Sequence, residues 1–355
     1  MKHTLFITGG AGYVGAMLCD QFSKRDDVEK IVALDVEEKP EFLAQNEKVE
    51  WIRANTVDTT WQDIARGANP DIVIHTAWHI REMYGKKKEQ WRWNVLGSKN
   101  VFEFVFGTSS VKKIIHFSTA AIYGACAGNT IEYRFTEKDP MREEEYSYAR
   151  EKKRAEELLR KAWEEGAHNK NVFIIRPAAI TGPRGRFMRI RFGLQSALMG
   201  QLKGSVAYRI VSLLVSFVPA TPLWVRQFIH EDDVCDIVAH LAFEKEPQGG
   251  YDVLNITPPG APVLAQEMAR AVGKKVLMIW PWMVFLAHFF FWHVTQGKIP
   301  TGRGVWRFYS YPVVMDGTKI TNQYGYVYAH SSGDAFRHTA GRYEQYIPRE
   351  VRSPK

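Results

Sequence analysis

Residues 4–15 have the sequence TLFITGGAGYVG, in which a short apolar run leads into a glycine-rich turn. The run Thr4–Thr8 predicts a β-strand, and the residues from Val14 to Lys24 predict a helix directly after the turn. Glycine is required where such a turn is tight, where the backbone approaches a phosphate and where helix packs on strand. The helix N-terminus adds free N–H groups and a positive dipole. We therefore expect a pyrophosphate site formed by Gly9, Gly12, Tyr13, Val14 and Gly15.

An acidic residue follows at the distance that such a site requires. Asp35 comes directly after the second predicted strand, Lys30–Leu34. A carboxylate there can bind both hydroxyls of an adenosine ribose and would repel a 2′-phosphate, and Val36 stands where an arginine would suit NADP. The sequence therefore predicts NAD as the cofactor, the alternative being an aspartate that only caps a turn.

Apolar β-rich segments alternate with helical patterns through the first half of the chain. The further predicted strands are Val49–Arg53, Ile72–His75, Lys113–Phe117 and Val172–Ile175, and the predicted helices are Glu89–Phe106 and Tyr148–Glu165. Such alternation implies an α/β fold with helices on both faces of a parallel sheet, the doubly wound Rossmann arrangement.

The pattern changes after Pro177. A helix is predicted from Asp232 to Phe243, and Tyr251–Ile256 is expected to return as a last strand of the sheet. We expect residues 1–178, joined by 229–256, to form the cofactor-binding domain. Residues 179–228 and 257–345 would form a smaller C-terminal substrate-binding lobe, followed by a tail at 346–355.

Tyr148 and Lys152 are four residues apart and therefore lie on one face of their predicted helix. A phenol is a poor base at neutral pH, but a neighbouring ammonium favours the phenolate. The same spacing recurs at Tyr84 and Lys88. Position separates the two pairs, because Tyr148 opens a long helix after the fifth strand, whereas Tyr84 lies in a loop after the fourth.

These motifs occur in the order typical of one family. They are TGGAGYVG, Asp35, Asp58, HTA at 75–77, WNVLGSKNVFE, HFSTAAIYG, YAREKKRAE, RPAAITGP and RQFIHEDDV. The chain resembles the extended short-chain dehydrogenases/reductases, the NAD-dependent epimerase/dehydratase family, over nearly its whole length.

The resemblance implies hydride transfer between a substrate carbon and the nicotinamide. Tyr148 would exchange the hydroxyl proton, Lys152 would hold the nicotinamide ribose and lower the pKa of Tyr148, and Thr119 would orient the reacting oxygen. Asp58 would lie on the adenine side, and Arg176-Pro177 would form the wall near the nicotinamide. The further cofactor-binding residues implied in this way are Val57, Asp58, Ala77, Asn94, Arg176 and Pro177.

Departures from the family pattern narrow the reaction. Sugar-nucleotide dehydratases carry an Asp-Glu pair directly after the threonine, where this chain has Ala120 and Ala121, so a second acid/base for eliminating water is missing. Ala179 replaces an asparagine that contacts nucleotide sugars in many members. Arg226, in contrast, favours a nucleotide sugar, because in related epimerases an arginine at this place can bind a diphosphate. It could equally be an ordinary arginine at a sheet edge. Thr119, Ala120, Ala179 and Arg226 are the candidate substrate contacts.

Two classes of function therefore stay open. The first is an NAD-dependent redox enzyme, either a C4-type epimerase of a nucleotide sugar or a net dehydrogenase; a hydroxysteroid-like dehydrogenase/reductase of an apolar alcohol or ketone is the alternative. The second is a non-catalytic NAD-binding regulator on the same fold. The presence of Tyr148, Lys152 and Thr119 together favours the enzyme.

Composition limits the partners and the compartment. The formal net charge of +8 favours anionic partners, but no nucleic-acid-binding motif accompanies it. Cys19, Cys126 and Cys235 have no metal-ligand spacing, which predicts reduced thiols and no metal site. With no secretory signal at the N-terminus, we expect a cytoplasmic protein. The family resemblance suggests a homodimer.

One segment suggests a membrane. From Val276 to Val294 the chain has no Asp, Glu, Lys or Arg and is rich in aromatic residues. It could be a buried helix of the substrate lobe or an interfacial helix on a membrane. A spanning helix is the third alternative, and Pro281 and the two histidines argue against it. A second apolar segment, Ile210–Val225, follows the arginines Arg184, Arg186, Arg189, Arg191 and Arg209. Peripheral membrane association is therefore a further expectation.

Overall fold

The strands of the large sheet all run parallel. The computed structural model describes residues 2–166, 169–185, 217–271, 273–337 and 340–347, with the single residues 206 and 209. The strands of this sheet are β1 His3–Thr8, β2 Val28–Asp35, β3 Val49–Arg53, β4 Ile72–His75, β5 Lys113–Phe117, β6 Asn171–Pro177 and β11 Tyr251–Ile256. Their order is β11-β6-β5-β4-β1-β2-β3. The predicted doubly wound parallel sheet is thus confirmed.

Helices cover both faces of this sheet. The helices of the first part are α1 Tyr13–Ser23, α2 Trp61–Gly67, α3 Lys87–Trp91, α4 Gly97–Gly107 and α5 Ser147–Glu165, followed later by α6 Glu231–Ala239. Along β1 the side chains alternate between two separate cores: Leu5 and Ile7 belong to one, and Phe6 between them belongs to the other. This burial on both faces explains why the strand is apolar at consecutive positions.

The predicted helices differ from the observed ones at two places. The helix expected over Glu89–Phe106 is interrupted between α3 and α4 by a π-helical turn, Arg92–Leu96. The helix expected to reach Phe243 ends as α6 at Ala239 and continues as a second π-helical turn, His240–Glu244. π-Turns insert a residue into the helical repeat, and hydrophobic periodicity does not signal them.

The remaining strands form pairs outside the large sheet. They are β7 Ala179–Thr181, β8 Val218–Ala220, β9 Val225–Arg226, β10 Phe228–His230, β12 Val263–Leu264 and β13 Val276–Met278. They pair as β7 with β10, β9 with β12 and β8 with β13. The helices here are α7 Ala265–Ala271, α8 Pro281–Val294, α9 Val305–Ser310, α10 Thr318–Tyr324 and α11 Ser332–Arg337.

Helix α8 is not the buried core helix that was one interpretation of the apolar segment. Within it only Val284 and Trp292 are buried. No helix in the described part of the chain combines the length and apolar character needed to cross a bilayer. Residues 210–216 of the segment Ile210–Val225, the arginines Arg186, Arg189 and Arg191, and the tail from 348 onward lie outside the described residues.

Candidate functional site

A cleft of about 950 Å³ runs along the carboxyl ends of the parallel strands. It is lined by residues that follow β1, β2, β3, β4, β5 and β6, on both sides of the point where the chain order reverses between β1 and β4. This topological switch point is where open α/β sheets bind ligands. The predicted residues that line the cleft are Gly9, Gly12, Tyr13, Val14, Asp35, Ala77, Asn94, Thr119, Ala120, Tyr148, Lys152, Pro177, Ala179 and Arg226.

The glycine-rich turn leaves no space for side chains on its inner side. Gly9 has a φ of +78°, and a Cβ there would lie 2.6 Å from the Ala77 nitrogen. A Cβ on Gly15 would lie 2.0 Å from the Gly9 carbonyl oxygen. Gly12 is the N-cap of α1, and no side chain caps this helix end. The start of α1 thus faces the cleft without a side-chain cap, which suits a pyrophosphate.

Asp35 is held against this turn. Its Oδ2 accepts a hydrogen bond of 3.0 Å from the Ala11 nitrogen, and its Oδ1 accepts one of 3.1 Å from the Glu37 nitrogen. Val57 and Asp58 do not line the cleft; Asn55 and Thr56 occupy its wall after β3. The carboxylate and the bare turn fit the ribose and the pyrophosphate of NAD.

A buried histidine joins the strands on the two sides of the switch point. Ser98 donates a 2.6 Å hydrogen bond to the Asn94 carbonyl oxygen, so the 2.9 Å bond between Ser98 and His75 Nε2 must be donated by the histidine. His75 Nδ1 then accepts from the Thr8 hydroxyl at 2.6 Å. Burial lowers the pKa of His75 to about 3, which keeps the ring neutral in this tautomer. The network fixes β4 against β1 and α4.

Tyr148, Thr119 and Lys152 converge in the cleft from α5 and from the end of β5. The Thr119 side chain lies beside the Tyr148 hydroxyl and lowers the pKa of Tyr148, although burial has the larger effect and raises it. Lys152 donates to the Phe117 carbonyl oxygen, and its ammonium lies 3.7 Å from the centroid of the Trp78 ring. Burial lowers the pKa of Lys152 well below its ordinary value. The trio can therefore exchange a proton with a bound hydroxyl or carbonyl group.

Asn94 lies in the π-helical turn between α3 and α4. Its Oδ1 accepts from the His79 nitrogen at 2.7 Å, and its Nδ2 donates to the His79 carbonyl oxygen at 2.9 Å and to Glu151 at 2.7 Å. The turn thus lets one side chain connect the loop after β4 with α5, beside Lys152. π-Turns of this kind recur at functional sites.

The structure places Arg176 away from the cleft wall. Its guanidinium forms a bidentate pair with Glu156, at 3.0 and 2.6 Å, and donates a 2.9 Å bond to the Tyr123 hydroxyl. Both charged side chains are at most 5% exposed. The arginine therefore connects β6 with α5 inside the protein. Gly15, another predicted cofactor-binding residue, does not line the cleft either.

We expect Arg176→Met to lower the free energy of unfolding by about 3–5 kcal/mol, because it leaves Glu156 buried without its partner. Chemical denaturation would measure this loss, and NAD affinity of the folded fraction should be unchanged. Adding Glu156→Leu should recover part of the stability, since an apolar pair of similar volume replaces the buried charges. A stable single variant with weakened NAD binding would instead place Arg176 at the cofactor.

Among the described residues, the part of the cleft next to β9 combines the cation of Arg226 with apolar walls. Arg226 lines it, and burial lowers the pKa of its guanidinium to about 10. The guanidinium donates 2.8 Å to the Val225 carbonyl oxygen, and no carboxylate of the described residues forms an ion pair with it. Ala120 and Ala179 add no polar group to this region. The apolar walls include Trp93, Tyr146, Phe308, Tyr311 and Met315.

Several of these residues were not predicted from the sequence. Trp78, which packs on Lys152, directly follows the Ala77 that was predicted, so its place after β4 was an available signal. Phe308 and Tyr311 come from α9 and the residue after it, and no local pattern links them to the cleft. The second Tyr-Lys pair, Tyr84 and Lys88, does not line the cleft; Tyr84 packs against Trp292 and hydrogen bonds to His293.

Comparisons with known proteins agree with this geometry. Residues 5–257 match the model of the NAD dependent epimerase/dehydratase family. The fold is similar to that of dTDP-glucose 4,6-dehydratase from Bacillus anthracis in complex with NAD, at 14% identity and a TM-score of 0.66, with 94% of each chain covered.

Two further solved structures are similar over comparable lengths. The Bordetella bronchiseptica enzyme WbmG, in complex with NAD and UDP, has 21% identity and a TM-score of 0.66, covering 98% of this chain and 95% of that one. A UDP-galactose 4-epimerase has 17% identity and a TM-score of 0.63, covering 94% of this chain and 96% of that one. A search of curated proteins gives no significant match. At these identities the structural likeness shows the fold alone.

Proposed function

This chain belongs to the NAD dependent epimerase/dehydratase family, and from that premise we propose that it oxidises and reduces a secondary alcohol or ketone carbon with Tyr148 as acid/base. It is an enzyme with NAD as its cofactor, as the sequence motifs predict. NAD, when bound, supplies the hydride acceptor and donor. The observation that supports the proposal best is that Thr119, Tyr148 and Lys152 line one cleft together with the glycine-rich turn and Asp35.

The proton chemistry follows from these three residues. In the oxidation direction Tyr148 must accept the hydroxyl proton, and in the reduction direction it returns the proton to the carbonyl oxygen. Thr119 can bind that same oxygen, since it already meets the Tyr148 hydroxyl. Lys152 is fixed by Phe117 and Trp78, so its side-chain nitrogen has a defined position in the cleft. Because one base serves both directions, the set suffices for a net dehydrogenase and for a C4-type epimerase.

Arg226 favours an anionic substrate. A cation without a carboxylate partner among the described residues is costly where solvent is partly excluded, and a bound phosphate would offset that cost. A nucleotide sugar would place a diphosphate in the same cleft as the reacting trio. We therefore favour a nucleotide sugar as the substrate, which makes the enzyme an epimerase or a dehydrogenase of nucleotide sugars.

A second candidate has its own support. The walls formed by Trp93, Phe308, Tyr311 and Met315 suit a flat apolar alcohol or ketone, because aromatic side chains bury large areas of such ligands. This would be a hydroxysteroid-like dehydrogenase or reductase. A non-catalytic NAD-binding regulator has no comparable support, since the proton-exchanging trio is assembled.

The nucleotide content of the purified protein separates these functions. The protein would be denatured and the released nucleotide identified and counted. Stoichiometric NAD would favour an epimerase that regenerates its cofactor in place, with UDP- and dTDP-sugars assayed for epimerisation. An empty protein that takes up NAD in preference to NADP would favour net redox, assayed as NADH formation with nucleotide sugars and with apolar secondary alcohols. A protein that neither contains nor binds NAD would contradict the proposal.

Arg226→Met tests the choice of substrate. If the substrate is a nucleotide sugar, we expect its KM to rise roughly 30–150-fold, the equivalent of about 2–3 kcal/mol for a lost charge-assisted hydrogen bond. The matching nucleoside diphosphate should lose its inhibition to the same degree. Thermal stability should not fall, because the variant removes a partly buried cation that has no carboxylate partner in the described part of the chain. Unchanged KM and unchanged inhibition would rule out the diphosphate role and favour the apolar substrate.

A further inference from the structure

An exposed apolar surface surrounds helix α8. It comprises Leu277, Met278, Trp280, Trp282, Met283, Phe285, Leu286, Phe289, Phe290 and Val294, all of them exposed. Trp282 is 62% exposed and Phe289 is 57% exposed. Scattered exposed apolar residues are ordinary on soluble proteins, but a contiguous set of large side chains marks an interaction site. We call this set the aromatic surface.

Helix α8 has no polar face toward solvent. Its outward residues are apolar apart from His293, whereas an ordinary surface helix carries charged residues on that side. At 14 residues it is about 21 Å long, which is too short to span a bilayer. Tryptophan at the start of the helix, Trp280 and Trp282, suits the boundary between lipid headgroups and acyl chains. The helix is therefore built to lie along such a boundary.

The segment that carries the aromatic surface has charged residues of one sign only. Residues 268–315 contain no Asp or Glu, and their basic residues are Arg270, Lys274, Lys275, Lys298, Arg303 and Arg307. Arg270, Lys275, Lys298 and Arg303 are exposed. Basic residues beside an apolar face attract anionic lipids. A second copy of the chain docked through the same surface would instead bring these cations together with no acidic partner from the segment.

The aromatic surface is the outer side of a cleft wall. Phe285 of α8 contacts Trp306 of α9 with ring centroids 5.5 Å apart, and His288 contacts Tyr309 at 6.1 Å. Phe308 in the same short helix lines the cleft. A partner bound to the aromatic surface would therefore lie next to α9, the helix that carries Phe308 of the cleft wall.

We propose that the aromatic surface binds the surface of an anionic lipid bilayer, with α8 in the plane of the interface and the exposed basic residues on the headgroups. The binding requires no particular substrate and holds whether or not the proposed reaction is correct. It also brings α9, and with it the apolar wall of the cleft, next to the lipid.

Vesicle co-sedimentation of the full chain tests the proposal. Vesicles of phosphatidylcholine alone would be compared with vesicles of phosphatidylcholine and phosphatidylglycerol. We expect the protein to sediment with the anionic vesicles, less so in high salt, and its tryptophan emission to be quenched by brominated acyl chains. Lys298→Gln/Arg303→Gln should weaken binding to the anionic vesicles about 10- to 30-fold.

Substitutions on α8 supply the matched comparison. Trp282→Glu/Phe289→Glu should abolish vesicle binding, whereas Ile64→Glu/Val327→Glu adds the same charge at apolar positions that are 62% and 78% exposed elsewhere and should leave it intact. NAD binding serves as the check of folding for each variant. A folded protein that stays in the supernatant with both vesicle types would overturn the proposal. So would a dimer that forms without lipid and dissociates in Trp282→Glu/Phe289→Glu, because it would assign the surface to a second copy.

Discussion

Tyr148→Phe is expected to reduce turnover by roughly 10²–10⁴-fold, the usual contribution of a positioned general acid/base. The substitution removes only the hydroxyl that meets Thr119 and keeps the ring contacts with Tyr146 and Trp78. NAD affinity and thermal stability should therefore change little. Turnover would be measured by NADH formation or by epimerisation, and NAD affinity by calorimetry. Tyr84→Phe is the matched control, because that tyrosine heads the second Tyr-Lys pair outside the cleft and its loss should leave turnover unchanged.

The pH profile supplies a second readout of the same role. Burial raises the pKa of Tyr148, so the phenol is protonated at neutral pH and the phenolate needed for oxidation increases as pH rises. Oxidation should therefore accelerate with pH on the alkaline side of neutrality, while reduction should slow once the phenol ionises. Thr119→Val removes the hydroxyl that lowers the pKa of Tyr148 and should shift both limbs of the profile to higher pH. Equal activity of Tyr148→Phe and the native protein would show that another group exchanges the proton.

The first strand, turn and helix could be predicted because their determinants are local. Gly9, Gly12 and Asp35 are recognisable from spacing alone, since a tight turn and a strand-end carboxylate are specified within a few residues. Lys152 follows from Tyr148 by helical periodicity. The parallel direction of the strands followed from their alternation with helices, because a crossover helix returns the chain to the same end of the sheet.

Long-range pairing explains what the sequence could not show. The family resemblance placed Arg176 near the nicotinamide, whereas in the structure its guanidinium pairs with Glu156 on a different element. Phe308 reaches the cleft from a short helix far along the chain. The sequence of helix α8 also fitted a helix buried in the core, because apolar composition does not show whether a helix packs against protein or is exposed on the surface. Each of these depends on the tertiary arrangement rather than on local pattern.

Gly15→Ala is expected to destabilise the protein by about 3 kcal/mol and to weaken NAD binding roughly 100-fold. The added methyl would lie 2.0 Å from the Gly9 carbonyl oxygen and 3.0 Å from the Thr76 hydroxyl oxygen. The first of these atoms is backbone, so no side-chain rotation relieves the overlap and the turn itself must move. Gly9 has little freedom to move, because the space beside it is filled: a Cβ built on it would lie 2.6 Å from the Ala77 nitrogen. The displaced turn would no longer present its N–H groups to the pyrophosphate.

Gly67→Ala is the matched control for this effect. Gly67 ends helix α2, and a methyl group there meets nothing within 4 Å. In that position alanine should leave NAD affinity unchanged and stabilise the protein by about 0.4–1 kcal/mol, through the smaller conformational freedom of the unfolded chain. Calorimetric titration with NAD and thermal unfolding of both variants measure the difference. If Gly15→Ala bound NAD like the native protein, the contact between α1 and the turn would not be what shapes the cofactor site, and the pyrophosphate would have to lie elsewhere along the cleft.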